Sequence, residues 1–115
     1  MLPSDDSEYY DNQVNMTTTV KEIDGKLVAV LSGELDTAAA PLVEAALKPL
    51  FDSTGKELVL DCTELEYIAS SGLRILMNLL KKAKSNGERI ILKKVNEVLR
   101  DVLELTGFMS YFEFE

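Results

Sequence analysis

Hydrophobic and polar residues change their period several times along the chain, and each change predicts an element. Residues 16–23 (MTTTVKEI) and 26–32 (KLVAVLS) are rich in β-branched and aliphatic residues. Asp24-Gly25 between them is a hairpin signal, because glycine accepts φ > 0, so the two runs are predicted to pair antiparallel at the start of a sheet. After SGELD the period becomes helical. Leu42, Val43, Ala46, Leu47, Leu50 and Phe51 recur on one face, Asp36 or Thr37 can cap the start, and Pro41 falls near the first turn, where a missing N–H costs little. The polar turn DSTG ends that helix.

ELVLD is a short apolar strand with Asp61 at its carboxyl end, and CTELEYIA leads from it into SSGLRILMNLLKKAKSNG. The spacing predicts a second helix over 70–85. RIILKK reads as a buried strand. VNEVLRDVLELTG reads as a third helix, with Asn96 a natural N-cap and Gly107 where a C′ glycine belongs. The tail YFEFE alternates like a last edge strand. Strands alternating with helices in this order define an α/β domain: a mixed sheet with an N-terminal antiparallel hairpin, βα crossovers and about three main helices. Residues 16–115 form the one predicted domain. Residues 1–15 are an acidic, flexible lead-in whose Glu8-Tyr9-Tyr10 is a candidate docking element.

The two serines at the start of the second helix pose a question of function. One can be an N-cap, with Gly72 allowing close packing. That leaves the second unexplained, since neither Leu73 nor Arg74 completes a capping box. At about 100° per residue, Ser71, Arg74 and Asn78 share a narrow face running toward Lys81 and Lys82, with Met77 at its border. Leu73, Leu76, Leu79, Leu80 and Ala83 lie opposite, toward the core. The serine face is therefore predicted to face solvent. A phosphate on Ser71 would add roughly −1.5 to −2 charges at a helix N-terminus, which tolerates them, with Arg74 placed to pair; a partner pressed against the same face would be repelled.

Composition narrows the classes. The chain has 115 residues, is 46% hydrophobic, and carries 20 Asp and Glu against 12 Lys and Arg, for a net charge of −8. That balance disfavours nucleic acid or an anionic membrane as the main partner. With no histidine there is no Ser-His or Cys-His pair and almost nothing to hold zinc. The single cysteine, Cys62, follows an apolar run and reads as a buried residue of a reducing compartment. The N-terminus lacks the basic and apolar regions of a signal peptide, and no apolar run approaches the ~20 residues of a membrane span. A cytoplasmic binding protein, with no cofactor and no catalysis, is the expectation.

The segments LVAVLSGELDTAAAPLVEAAL, KELVLDCTELEYIASSGLRILMNLLKKAKSNG, RIILKKVNEVLRDVLELTGF and YFEFE, taken in that order, resemble the STAS family, the anti-sigma-factor antagonists of bacteria. SGELD, SSGLR and LTGF at this separation are a specific combination. The resemblance implies a small protein, a monomer when free. Its unphosphorylated form binds an anti-sigma-factor serine kinase and releases the sigma factor, and a metal-dependent phosphatase reverses the kinase's phosphorylation. The usual acceptor, the hydroxyl residue before the glycine, maps to Ser71, with Ser70 as the alternative. The partner-binding residues it implies are Glu34, Asp36 and Thr37 of the GELD loop with Ser70, Ser71, Gly72, Arg74, Met77 and Asn78. The family's frequent aspartate at the head of the serine motif is Ala69 here, which removes a carboxylate from kinase recognition. Competing readings are a STAS subunit of a lipid-trafficking ABC transport complex, a nucleotide hydrolase, which lacks a P-loop here, and a receiver phosphorylated on Asp61, which would need another central strand.

Overall fold

The computed structural model describes residues 14–107 and 109–115. Strand β1 (Met16–Ile23) turns at Asp24 and Gly25, both at positive φ (53° and 79°), into β2 (Lys26–Leu35). Two left-handed residues are what a tight hairpin with right-handed strand twist requires, so the predicted hairpin forms as read. β3 (Glu57–Ile68), β4 (Ile90–Lys93) and β5 (Glu113–Phe114) follow, in the spatial order β1-β2-β3-β4-β5. Only the first pair is antiparallel; the other three are parallel. The helices are α1 (Ala40–Ala46), α2 (Lys48–Asp52), α3 (Ser70–Ser85) and α4 (Glu97–Leu105), with a single 3₁₀ turn at Met109–Tyr111.

Side chains alternate across a strand, so one face of β2 presents Leu27, Ala29, Leu31 and Leu35 to the interior. Leu58, Leu60, Ile90 and Leu92 continue that face, and Val43, Leu47, Leu50, Leu76, Leu79, Leu80, Leu99 and Leu103 of the helical segments pack on it as one core. The opposite face carries Val28, Val30, Asp61 and Lys93, and among the described residues no helix covers it. Asn96 Oδ1 accepts from Leu99 N at 2.9 Å and Gly107 sits at φ 76°, so α4 begins and ends where its cap signals predict. The tail joins the sheet as predicted: Glu115 N donates to Leu92 O at 3.0 Å and Lys94 N to Glu115 O at 2.9 Å. Arg89, bonded to both Glu57 and Glu113, fastens it from the side.

Two elements differ from their sequence reading. The expected single helix over Leu42–Phe51 is two short ones meeting at Leu47, and Leu42 is exposed. Pro49 is the cause: it has no N–H to donate, and its ring collides with the carbonyl four residues back. The strand ELVLD does not stop at Asp61 but runs on to Ile68. Its buried positions there are Cys62, Leu65 and Ile68, spaced by three, because pairing with β2 slips twice, between Val30 and Ser32 and between Gly33 and Glu34. Each slip turns the strand out of its two-residue phase, so the sequence shows no alternation. Asp61 therefore lies inside a strand. Burial pushes its carboxyl up, but the bonds from Thr63 Oγ1 (2.6 Å) and Thr63 N (3.1 Å), with Lys93 and Lys21 nearby, outweigh burial and hold it below the usual range.

Cys62 is 2% exposed, and burial, with the charge of Asp61, pushes its thiol up to about 12. Thiolate is the nucleophile, so the folded protein is expected to be inert to an aromatic disulfide reagent at pH 8 and to react fully once unfolded in denaturant. Prompt reaction of the native protein would show that Cys62 is open.

Candidate functional site

The parallel pairing of β2 with β3 brings their carboxyl ends side by side. Glu34 stands opposite Tyr67 and Leu35 opposite Ile68, and Ala69 N donates to Leu35 O at 2.8 Å. SGELD and IASSGL, remote in sequence, thus form one edge of the molecule, where helices start from strand ends.

Two glycines make the junction close. A Cβ on Gly72 would lie 2.5 Å from Leu35 Cγ and 3.2 Å from Ile68 Cγ1. The glycine of SSGL is the space that the leucine of GELD fills. Gly33 is at φ 108°, and a Cβ there would stand 2.1 Å from the backbone oxygen of Asn15. The same Asn15 oxygen accepts from Glu34 N at 2.7 Å, and Asn15 Nδ2 donates to Glu34 Oε2 at 3.4 Å. Of the three GELD residues named above, Asp36 is engaged internally: its Oδ1 accepts from Ala39 N at 2.9 Å, so Asp36 rather than Thr37 caps the turn into α1. Glu34 is half-buried and Thr37 is exposed.

Neither serine caps α3. The N-cap is Ala69, extended at φ −87° and ψ 168°, with no side-chain bond to the first turn and no acidic residue in it. The first intrahelical bond runs from Leu73 N to Ala69 O at 2.9 Å. The N–H groups of Ser70, Ser71 and Gly72 precede it and have no partner four residues back within the helix. Ser70 is exposed. Ser71 is half-buried, and its Oγ is covered with no hydrogen-bond partner among the described residues. The sequence places Ser71 on the solvent face with Arg74 and Asn78; the structure keeps Arg74 and Asn78 exposed and Met77 half-buried, but tucks the Ser71 oxygen in, because the first turn of α3 is drawn onto Leu35 through Gly72.

Lys82 also departs from the solvent face expected of it. Its ammonium donates to Leu50 O (2.7 Å), Ser53 Oγ (3.0 Å) and Glu88 Oε1 (2.9 Å), tying the far end of α3 to α2. Tyr67, opposite Glu34 in register and 49% exposed, belongs to the site edge although sequence reasoning did not single it out. The signal was the continuation of β3, which sets Tyr67 at the strand end. Among the described residues no group of three or more His, Cys, Asp and Glu is placed to hold a metal ion, and no helix is long and apolar enough to cross a membrane. What the edge offers is two hydroxyls, one open and one covered, beside a mixed polar and apolar rim.

A one-sided mixed sheet with two abutting strand ends at its edge defines a small α/β domain. The chain belongs to the STAS domain family, whose model matches residues 17–115. It is 35% identical to BtrV of Bordetella bronchiseptica over 84% of both chains. It is 27% identical to the anti-sigma-B factor antagonist of Bacillus subtilis, over 87% of this chain and 91% of that one. Among solved structures it is similar to an anti-sigma factor antagonist from Mycobacterium paratuberculosis, with 31% identity, a TM-score of 0.73, and 86% and 84% of the two chains covered.

Proposed function

We propose that this protein is an anti-sigma-factor antagonist whose GELD–SSGL edge binds an anti-sigma factor of the serine-kinase type, and that phosphorylation in the Ser70-Ser71 pair ends the binding. The observation that carries the reading is the junction itself: Ala69 N on Leu35 O and Gly72 seated on Leu35 bring the GELD and SSGL motifs against each other. The relatives named as antagonists over most of their length support it. By the family position the acceptor is Ser71. Its oxygen must rotate out from under its neighbours to receive a phosphoryl group, whereas Ser70 needs no such movement.

The physical switch is charge at a helix start. A phosphoserine meets the positive end of α3 and N–H groups that no side chain caps, so the domain stays folded. A bound partner instead faces a dianion where a hydroxyl stood. The deciding experiment incubates the protein with ATP and purified candidate anti-sigma kinases and maps the phosphosite by mass spectrometry. Ser71→Ala is expected to abolish labelling and keep binding, and Ser71→Asp to weaken binding by about tenfold or more, equivalent to about 1.4 kcal/mol. Label that survives Ser71→Ala and vanishes in Ser70→Ala moves the acceptor to Ser70. If Ser70→Asp and Ser71→Asp both bind like the unsubstituted protein, the switch is refuted.

A further inference from the structure

The far end of α3 borders a groove of about 480 Å³ lined by Leu80, Lys81, Lys84, Ser85 and Tyr111. Lys82 has turned away to Glu88, but Lys81 and Lys84 stay exposed and form no ion pair among the described residues. Lys84 lies over the Tyr111 ring at 5.9 Å, and Tyr111 is 50% exposed. The nearby Glu113 is already bonded by Arg89. In a protein of net charge −8, this is a basic, part-aromatic hollow with no carboxylate among its lining residues.

Helix α4 presents the converse. Val98, 62% exposed, and Leu105, 88% exposed, stand seven residues apart and share one side of the helix. Glu97, Asp101 and Glu104 run beside that apolar row and form no ion pair among the described residues. The one base of the helix, Arg100, lies over the Phe114 ring at 4.5 Å. Asp101 and Glu104 are three residues apart, as are Lys81 and Lys84, so each pair spans about 4.5 Å of its helix axis. The acids can therefore meet the ammoniums while Leu105 enters beside Leu80 and Tyr111. Tyr111 follows Leu105 by six residues, and bonds from Gly107 N to Glu104 O (3.2 Å) and from Phe112 N to Met109 O (3.2 Å) keep the connection wound. Ridge and groove are thus neighbours in one molecule. A two-fold axis beside them seats each copy's ridge in the other's groove, and such a contact closes at two copies. The helix-free face of the sheet offers a neighbour less apolar surface, since Val59 and Ile91 are already buried there.

We propose that the occupant of this groove is a second copy of the chain: Val98 and Leu105 of each α4 pack on Leu80 and Tyr111 of the other copy, with Asp101 and Glu104 set against Lys81 and Lys84. This does not depend on the partner assigned to the GELD–SSGL edge. The test is sedimentation equilibrium of the full chain at concentrations up to about 1 mM, which populates even a weak pair. The expected result is a mass that rises with concentration toward that of two chains. Leu105→Asp should stay monomeric with an unchanged melting temperature, because that side chain is exposed in the single copy. Lys81→Glu/Lys84→Glu and Asp101→Lys/Glu104→Lys should each stay monomeric alone. An equimolar mixture of those two variants should dimerise, since every groove then meets a ridge of opposite charge. An unsubstituted chain that is monomeric throughout the range overturns the proposal and leaves the groove to a different protein. So does a dimer that survives Leu105→Asp or either charge reversal, growth beyond two copies, or a mixture that stays monomeric.

Discussion

A Lys82→Met variant is expected to lose about 3–5 kcal/mol of stability, as removal of one member of a buried ion pair does. The Glu88 side chain is 1% exposed and that of Lys82 16%. One Glu88 oxygen already lacks a partner among the described residues. Taking away the ammonium leaves the carboxylate enclosed and unpaired, and also strips Leu50 O and Ser53 Oγ of their shared donor. For a domain of this size each kcal/mol moves Tm by on the order of 4 °C, so thermal melting resolves the effect easily. Pairing is tested by the double variant Lys82→Met/Glu88→Leu, which should recover most of the loss because no charge stays buried. A double variant as weak as the single one would assign the cost to the hydrogen bonds on α2 instead.

The second large effect is expected at Gly33. Its φ of 108° disfavours any side chain, and the Cβ of alanine would stand 2.1 Å from a main-chain oxygen that cannot swing aside like a side-chain tip. Backbone strain at such a φ costs of order 1–3 kcal/mol, and overpacking costs a similar amount again. Gly33→Ala is therefore expected to destabilise by about 3 kcal/mol or more. The clash lies at Asn15, whose oxygen holds Glu34 N, so relief must shift Glu34 and the GELD loop with it. Urea denaturation measures the first consequence. Binding to the proposed anti-sigma partner, measured below the new melting point, should show the second as weakened affinity in the fraction that remains folded. A variant with unchanged midpoint would mean that the start of β1 yields freely.

Local chemistry was legible in the sequence at the turns and at the caps of the last helix, though not at the start of α3, where Ala69 and neither serine is the N-cap. Asp24-Gly25 turns the hairpin, Asn96 caps α4, Gly107 ends it, and the tail pairs as an edge strand. What escaped was set by pairing at a distance. The two slips between β2 and β3 erased the alternation that would have shown β3 reaching Ile68, and with it the place of Tyr67. The GELD and SSGL motifs were both visible in the sequence, but the fit of Gly72 on Leu35 exists only once two strands lie in register. Lys82 sits at the edge of its helical wheel, and a buried acceptor decided which way it turned. Ser71 was drawn inward by the same packing that seats Gly72. Pro49 was the one local signal that periodicity obscured, since the apolar spacing continues straight through the break it causes.

The sheet order repeats the chain order from first strand to last. As the polypeptide leaves the ribosome, every new strand finds its neighbour already made, and none must wait for a partner still to be synthesised. Among the described residues the growing sheet advances at one edge, and the strand it reaches last has two residues, too short to serve as a template for a neighbouring molecule.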